Sequence, residues 1–287
     1  MHTADWLSGR LTLPSRCMIF VHYDADGGLS SSAMKLLTWY RQHVARLVVV
    51  SNSPIEVSDR GHLLEVATDL IIRENEGYDF GAWRDAISAL GPLDAYDELC
   101  LANDSVLGPL FPADSLFDRV SALPNDVCGL VASWEYGWHI QSWFVCYKRR
   151  AFTSEAFKSF WRGIEARDSK AGLIESYEVG LTRALSDAGL SLGALFAARK
   201  SPGSLARLAV AARNMSPAEP DRSIELARRL RHLPELNPMH FQWDEVLAAG
   251  IPMVKRELLG NNPNRIDLKG ILRRFPELGN SWVDPAK

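Results

Sequence analysis

Short apolar runs alternate with longer amphipathic segments over the first half of the chain. The run at 17–23 reads Cys-Met-Ile-Phe-Val-His-Tyr, and the stretch from Ser30 to His43 places its apolar residues at helical spacing. The next run, 46–50, ends in three consecutive valines, which is typical of a strand buried on both faces. This alternation predicts βα units, and therefore an α/β fold with a mostly parallel sheet flanked by helices.

The second half of the chain has a different composition. Residues 190–237 are rich in Ala, Arg and Leu and contain several prolines, which predicts helices near 204–214 and 221–231. A chain of 287 residues is long enough for one large domain with an appendage. We therefore predict an α/β core over residues 15–195 and a mainly helical C-terminal region over residues 196–287, packed on the core.

Charge and cysteine usage narrow the functional class. The net charge of −3 argues against a nucleic-acid binder. The four cysteines are far apart and form no Cys-x-x-Cys pair, which predicts reduced thiols in a cytoplasmic protein. No apolar run approaches the ~18 residues that a membrane span needs. Peripheral contact at the inner face of the membrane is a further expectation, with the Arg-rich helices and Lys255–Arg256 facing anionic lipid or a lipid-diphosphate acceptor.

Four polar segments follow the predicted strands. They are residues 24–28, 51–53, 73–84 and 103–109. Ligands of open α/β sheets bind beyond the carboxyl ends of the strands. We therefore expect these four segments to form one site.

The third segment is the richest in chemical groups. Gly77 and Gly81 permit backbone shapes or close approaches that a side chain would obstruct. A helix that begins near Gly81 would offer free N–H groups to a phosphate, and Arg84 would add a positive charge. The alternative interpretation is an ordinary turn that contains glycine.

The fourth segment places oxygen ligands directly after an apolar strand. Asn103, Asp104 and Ser105 supply an amide, a carboxylate and a hydroxyl, which suit a divalent cation bound together with phosphates. The same three residue types are also common in turns.

Several strings resemble the rhamnan synthesis protein F family of polysaccharide glycosyltransferases. The most particular is 74–84, Glu-Asn-Glu-Gly-Tyr-Asp-Phe-Gly-Ala-Trp-Arg, and 101–109 looks like that family's variant of the metal-binding Asp-x-Asp motif. Segments 138–144, 240–245 and 252–259 follow in the family's order. The resemblance implies a GT-A-like fold, and it implies transfer of a hexose or deoxyhexose from a nucleoside-diphosphate sugar. The resemblance implies L-rhamnose as one candidate for this sugar, and a hydroxyl of a cell-surface polysaccharide or its lipid-linked precursor as the acceptor.

The resemblance also implies roles for residues. The expected donor-binding residues are Asp24, Ser51, Asn52, Arg73, Asn75, Gly77, Asp79, Gly81, Arg84 and Asn103. Asp104 and Ser105 would bind a divalent metal, Mg²⁺ or Mn²⁺. Asp-x-Asp would offer two carboxylates, whereas this chain has one, so the metal requirement stays open.

A catalytic base is implied by a further match. Related inverting enzymes have an acid near the start of a helix that ends in Gly, and Tyr177-Glu178 through Gly189 is similar. Glu178 would take the proton of the acceptor hydroxyl. Glu135 and Asp244 are substitutes for this role. The expected acceptor side consists of Glu135, His139, Gln141, His240 and Asp244.

Two other functions compete with the transferase. Segments 24–27, 51–52 and 103–105 loosely resemble the motifs of Mg²⁺-dependent haloacid dehalogenase-type phosphatases, but no lysine lies between Ser53 and Asp104. The missing second aspartate would also suit a non-catalytic scaffold that binds nucleotide sugars.

Overall fold

A computed structural model describes residues 14–25, 27–165, 174–199, 201–213 and 237–280. Its strands are β1 (Arg16–His22), β2 (Arg46–Ser51), β3 (Asp69–Ile72), β4 (Glu98–Asn103), β5 (Val106–Leu107), β6 (Val127–Ser133), β7 (His139–Ile140), β8 (Phe144–Lys148), β9 (Leu192–Ala197) and β10 (Val254–Lys255). Its α-helices before residue 237 are, within the described ranges, α1 (Ser31–Arg41), α2 (Val57–Val66), α3 (Tyr78–Ala89), α4 (Leu116–Ser121), α5 (Arg149–Phe152), α6 (Glu155–Arg162), α7 (Gly180–Asp187) and α8 (Pro202–Arg213). A π-helix, Ile174–Val179, runs directly into α7.

The main sheet has the order β3-β2-β1-β4-β8-β6-β7, and β9 pairs with β6. Strands β3, β2, β1 and β4 are mutually parallel, and so are β6 and β9. Strand β8 is antiparallel to both of its neighbours. The sheet and its flanking helices confirm the predicted α/β fold class.

Two apolar cores cover the two faces of this sheet. Successive side chains of β1 alternate between them, as strand geometry requires. Met18 and Phe20 pack in the core that contains α1 and α2, whereas Ile19 packs in the core that contains α3, α6 and α7. Burial on both faces explains why the apolar runs of the first half are continuous.

Two elements of the second half differ from the sequence-based expectations. Residues 192–197 form β9 in a region whose Ala- and Leu-rich composition favours helix, because parallel pairing with β6 outweighs the local propensity. The helix that the resemblance implies over Tyr177–Gly189 is π-helical over its first residues and continues as α7. The helix predicted near 204–214 is α8, and the one predicted at 221–231 lies outside the described residues.

Residues 237–280 form a third cluster of short elements. These are α9 (Pro238–Phe241), α10 (Trp243–Ala248), α11 (Arg256–Leu259), α12 (Lys269–Arg274) and α13 (Glu277–Asn280), together with β10. Strand β10 pairs antiparallel with β5, so this segment lies directly beside the loop that follows β4. The boundary near residue 195 stays a prediction.

Two further expectations concern the chain as a whole. All four cysteines are buried and free, as predicted for reduced thiols. Within the described ranges, no helix is long and apolar enough to cross a membrane.

Candidate active site

The loop after β4 is fixed by its own polar side chains. The Asn103 amide donates to Asp79 Oδ2 at 2.7 Å, which ties the loop to the first turn of α3. Asn103 Oδ1 accepts from the Ser105 backbone N–H at 3.1 Å and from the Ser105 hydroxyl at 2.7 Å. This loop and the start of α3 therefore form one rigid unit.

Asp79 and Asp104 form the acidic part of this unit. Asp104 Oδ2 accepts a hydrogen bond from the Tyr23 N–H at 3.2 Å. Burial raises the pKa of Asp104 to about 6, even though the Arg256 guanidinium acts to lower it. Burial, followed by the charge of Asp104, raises the pKa of Asp79 to about 7. Two acids with raised pKa values mark a place where a ligand cation would be favourable.

Both glycines of the 73–84 segment are required by the backbone. Gly77 has φ of 72°, a left-handed conformation that side chains disfavour, and it lies immediately before α3. A Cβ on Gly81 would lie 2.1 Å from the carbonyl oxygen of Glu76. The helix therefore packs against the loop before it more closely than any residue other than glycine at position 81 would allow.

Arg73 joins the ends of two strands to α3. Its guanidinium donates to Asp85 Oδ2 at 2.8 Å, to Asn52 Oδ1 at 2.7 Å and to the Glu76 carbonyl. The Asn52 amide in turn donates to the Tyr78 carbonyl at 3.1 Å. Arg73 and Asn52 thus fix the loop through its Glu76 and Tyr78 carbonyl groups.

Helix α3 begins at Tyr78, three residues before the predicted start. The Gly81 N–H donates to the Gly77 carbonyl at 2.9 Å, so Gly81 itself has no free N–H for a phosphate. The first-turn N–H groups from Tyr78 onward take that place. Asn75 lies beside this turn, and its buried Oδ1 has no hydrogen-bond partner among the described residues. A buried acceptor without a partner is costly unless a ligand or water completes it.

Other predicted donor residues have mainly local contacts. Arg84 donates to Asp85 at 2.7 Å and to the Ile164 carbonyl at 3.0 Å, on the flank of α3. The Ser51 hydroxyl is buried between His22 and the Ser53 carbonyl. Asp24 follows β1, and its carboxylate accepts from the Gly28 N–H at 3.4 Å.

Glu178 lies in the π-helix and is fixed by two partners from the β7–β8 region. Its Oε1 accepts from the Ser142 hydroxyl at 2.8 Å, and its Oε2 lies 3.3 Å from His139 Nε2. His139 Nδ1 lies 2.9 Å from the Gly137 carbonyl, which can only accept, so that nitrogen is the donor. The ring therefore contacts Glu178 best as an imidazolium with both nitrogens protonated.

The pKa values agree with this ion pair. Burial acts to raise the pKa of Glu178, but the hydrogen bond and charge of His139 outweigh it and lower the pKa below its usual range. Burial acts to lower the pKa of His139, but the hydrogen bond and charge of Glu178 outweigh it and raise that pKa. The lowered pKa keeps the Glu178 carboxylate ionised, and the side chain retains 16% exposure.

The remaining acceptor-side candidates are in different places. Glu135 lies in the β6–β7 loop near the pair, and burial raises its pKa. Gln141 donates to Asn237 Oδ1 at 3.0 Å and accepts from Trp143, so it ties the core to the C-terminal segment. His240 is buried in α9, with Nδ1 2.8 Å from the Asn264 amide. Asp244 pairs with Arg207 at 2.6 Å.

Two cationic side chains that the sequence motifs did not identify as site residues contact the loop after β4. Lys255 Nζ donates to the Ser105 hydroxyl at 3.1 Å, and Arg256 Nε donates to the Asp104 carbonyl at 3.0 Å. Both side chains therefore contact the loop after β4, and the expectation that this pair faces anionic lipid or a lipid-diphosphate acceptor stays a prediction. Some 150 residues separate them from that loop along the chain, and no local pattern signals such a contact.

A metal ion would find few protein ligands here. The described residues contain no group of three or more His, Cys, Asp and Glu side chains that could bind one. The Ser105 hydroxyl already contacts Asn103 and Lys255. Asp104 offers one carboxylate, which fits Mg²⁺ or Mn²⁺ if substrate phosphates and water supply the other ligands.

The model of the family described as rhamnan synthesis protein F matches residues 47–213, more than half of the chain. The chain belongs to this family. The match includes the 73–84 segment, the loop after β4 and Glu178, and it ends before Lys255. Membership confirms the resemblance on which the GT-A-like fold class rests, and it supports a glycosyltransferase over a phosphatase.

Two relatives are similar over about two thirds of this chain. The uncharacterized protein y4gN of Sinorhizobium fredii is 29% identical over 194 residues, 66% of this chain and 50% of the relative. Virulence protein VirA of Vibrio anguillarum is 25% identical over 205 residues, 69% of this chain and 64% of the relative. The chain therefore spans half to two thirds of the length of these relatives.

Two solved structures have a more distant similarity. A putative nucleotide-diphospho-sugar transferase from Desulfovibrio desulfuricans G20 aligns with a TM-score of 0.40 and 13% identity, over 76% of this chain and 96% of that one. Mannosyltransferase PcManGT from Pyrobaculum calidifontis, in complex with GDP-Man and Mn²⁺, aligns with a TM-score of 0.42 and 12% identity, over 94% and 74%. Scores this low establish no shared function.

Proposed function

We propose that this member of the rhamnan synthesis protein F family is a glycosyltransferase that moves a hexose or deoxyhexose from a nucleoside-diphosphate sugar to a hydroxyl group. L-rhamnose is our first candidate for the sugar. The acceptor is a cell-surface polysaccharide or its lipid-linked precursor. One observation carries the proposal: the family match over residues 47–213 spans the 73–84 segment, the loop after β4 and Glu178, and the hydrogen bond from Asn103 to Asp79 joins the first two.

The two acidic groups suit the two ends of an inverting transfer. Glu178 accepts the proton of the acceptor hydroxyl while the acceptor oxygen bonds to the anomeric carbon. The bond from that carbon to the diphosphate oxygen breaks, and its electron pair stays on the nucleoside diphosphate. Asp104 would bind a divalent cation that stabilises this leaving group when present. Asn75, with its unpartnered Oδ1, contacts the donor.

Glu178 fits the base role through its position and its charge. A carboxylate has about four lone-pair sites, so the contacts with Ser142 and His139 leave room for an acceptor hydroxyl. Its lowered pKa keeps it ionised at neutral pH. Glu135 is the substitute, because its raised pKa would make it the stronger base.

A thermal-shift screen tests the proposal first. UDP, GDP, dTDP and CMP are each added with and without Mg²⁺ or Mn²⁺. A ligand at ~100 times its dissociation constant adds ~2.7 kcal/mol to the free energy of unfolding. We expect one nucleoside diphosphate to raise the melting temperature of the wild type. The same ligand should leave the melting temperature of the Asp104→Ala variant unchanged.

Transfer is then measured with the matching nucleotide sugars and a glycan acceptor. Binding without turnover would favour the nucleotide-sugar-binding scaffold. Hydrolysis of an aryl phosphate without any nucleotide binding would favour the phosphatase.

A further inference from the structure

The C-terminal segment reaches the loop after β4 through main-chain pairing. Val254 pairs with Leu107 and Lys255 with Val106 in the two-stranded β5–β10 sheet. The Arg256 N–H also donates to the Ser105 carbonyl at 3.0 Å. The position of Lys255 therefore follows from backbone register, which a long, flexible lysine alone would not provide.

Close packing fixes that register. Met253 and Val254 are fully buried, and Leu107 is nearly so. A Cβ on Gly108 would lie 2.3 Å from the Met253 sulfur and 2.6 Å from the Pro252 carbonyl oxygen. A shift of one residue would expose this apolar set and point Lys255 away from the loop.

The ammonium group of Lys255 lies among the acids of the site. It donates to Ser105, and its charge acts to lower the pKa values of Asp79 and Glu135, which burial raises, and contributes to the lowered pKa of Glu178. These carboxyl groups belong to the first turn of α3, the β6–β7 loop and the π-helix respectively. The contact with Ser105 therefore places the Lys255 ammonium beside the loop after β4, within electrostatic reach of these three carboxyl groups.

An anionic ligand needs such a cation here. The acids that interact electrostatically around the site are Asp24, Asp79, Asp104, Glu135, Glu178 and Glu257. A diphosphate that enters this group meets repulsion unless fixed positive charge faces it. Preorganised cations at a point where negative charge develops are among the strongest contributions to catalysis.

We propose that Lys255 binds the diphosphate of the nucleotide-sugar donor, with Arg256 fixing the Asp104 loop that presents it, so that residues 254–256 complete the donor site. This inference rests on the proposed function and adds a binding residue to it. When the sugar–oxygen bond breaks, the electron pair left on the diphosphate oxygen is stabilised by the Lys255 ammonium. Asp104 would hold a divalent ion, which would add positive charge that stabilises the same leaving group.

The test separates the phosphates from the rest of the nucleotide. Calorimetric titration measures binding of the nucleoside diphosphate selected by the thermal-shift screen, and of its nucleoside monophosphate and nucleoside, in EDTA and in Mg²⁺. The proteins are wild type, Lys255→Met, Lys255→Arg and the matched control Lys269→Met. Lys269 is an exposed lysine of the same C-terminal segment, at the start of α12.

We expect Lys255→Met to weaken diphosphate binding at least tenfold in EDTA and less in Mg²⁺, while nucleoside binding is unchanged. Lys255→Arg should restore most of the affinity, and Lys269→Met should behave as wild type. Equal diphosphate affinity in Lys255→Met and wild type would overturn the inference, as would equal losses for diphosphate and nucleoside. Lys255→Gln replaces the methionine variant if the latter does not fold. A wild type that binds no nucleoside diphosphate would overturn the proposed function itself.

Discussion

The acids of the site are positioned in two different ways. On the parallel side of the sheet, Asp79 and Asp104 are fixed by backbone geometry and neutral hydrogen bonds, and their pKa values are raised. On the antiparallel side, Glu178 is fixed by a cationic partner, His139, and its pKa is lowered. Acids whose pKa values are shifted in opposite directions take different roles in one reaction. In the proposed reaction, the Asp79–Asp104 group is where a cation would bind, and Glu178 accepts the proton.

The sharpest way to break this comparison is Glu178→Gln. The substitution keeps the shape of the side chain and removes the carboxylate that accepts the proton. General-base catalysis contributes about 10²–10⁴-fold, so we expect kcat to fall by that factor while donor affinity stays within about twofold. Steady-state kinetics with titration of the donor measures both quantities.

Glu155→Gln is the matched control, since Glu155 is an exposed acid of α6 and should keep the wild-type rate. A Glu178→Gln enzyme with undiminished kcat, together with an inactive Glu135→Gln, would assign the base to Glu135 instead.

The sequence predicts the parallel side better than the antiparallel side for a physical reason. The strand, turn and helix that form each βα unit are adjacent in the chain. Short sequence patterns therefore predict β1, β2 and the 73–84 loop. The sequence identifies Gly77 and Gly81 as backbone requirements, which φ and packing confirm. It misplaces the start of α3 because a helix boundary depends on which N–H groups find partners.

The contacts that long-range pairing creates could not be predicted. Strand β9 has a helix-like composition and exists because β6 offers it a free edge. Lys255 meets Ser105 only through the β5–β10 pairing. Ser142 joins Glu178 from 36 residues away. A single sequence contains no signal for such pairs.

Gly81→Ala tests whether backbone geometry alone fixes the parallel side. Its Cβ would lie 2.1 Å from the Glu76 carbonyl oxygen, so either the loop or the helix must move. Overpacking of this kind costs about 1–3 kcal/mol, which exceeds the ~1 kcal/mol that alanine gains in helix propensity. Denaturant unfolding should show the net loss, and calorimetry should show weaker donor binding.

Gly61→Ala is the matched control, because Gly61 lies in α2, where an added Cβ would have no atom within 4 Å, and this variant should become more stable. If Gly81→Ala were as stable as wild type and bound the donor normally, the close packing of loop and helix would have no functional role.

His139→Gln tests whether charge fixes the antiparallel side. Glutamine can still donate a hydrogen bond to Glu178, so the variant removes mainly the positive charge. The folded-state pKa of His139 lies above its ordinary 6.5, so its stabilisation is present below pH 6.5 and is lost as the pH rises through the folded value. The folded-state pKa of Glu178 lies below its ordinary 4.5. Its contribution to stability is therefore present above pH 4.5 and is lost as the pH falls through the lowered folded-state pKa.

The pair therefore stabilises the fold most between pH 4.5 and 6.5. We expect His139→Gln to be less stable than wild type by about 1 kcal/mol in this window, with the deficit shrinking at higher pH as His139 loses its proton. Urea unfolding at a series of pH values measures the difference, and the control His62→Gln, at an exposed histidine of α2, should keep nearly the wild-type stability. A deficit that stays constant up to about pH 9, well above the ordinary histidine pKa, would mean that His139 acts as a neutral donor. The contrast between the two sides would then be one of hydrogen bonding rather than of charge.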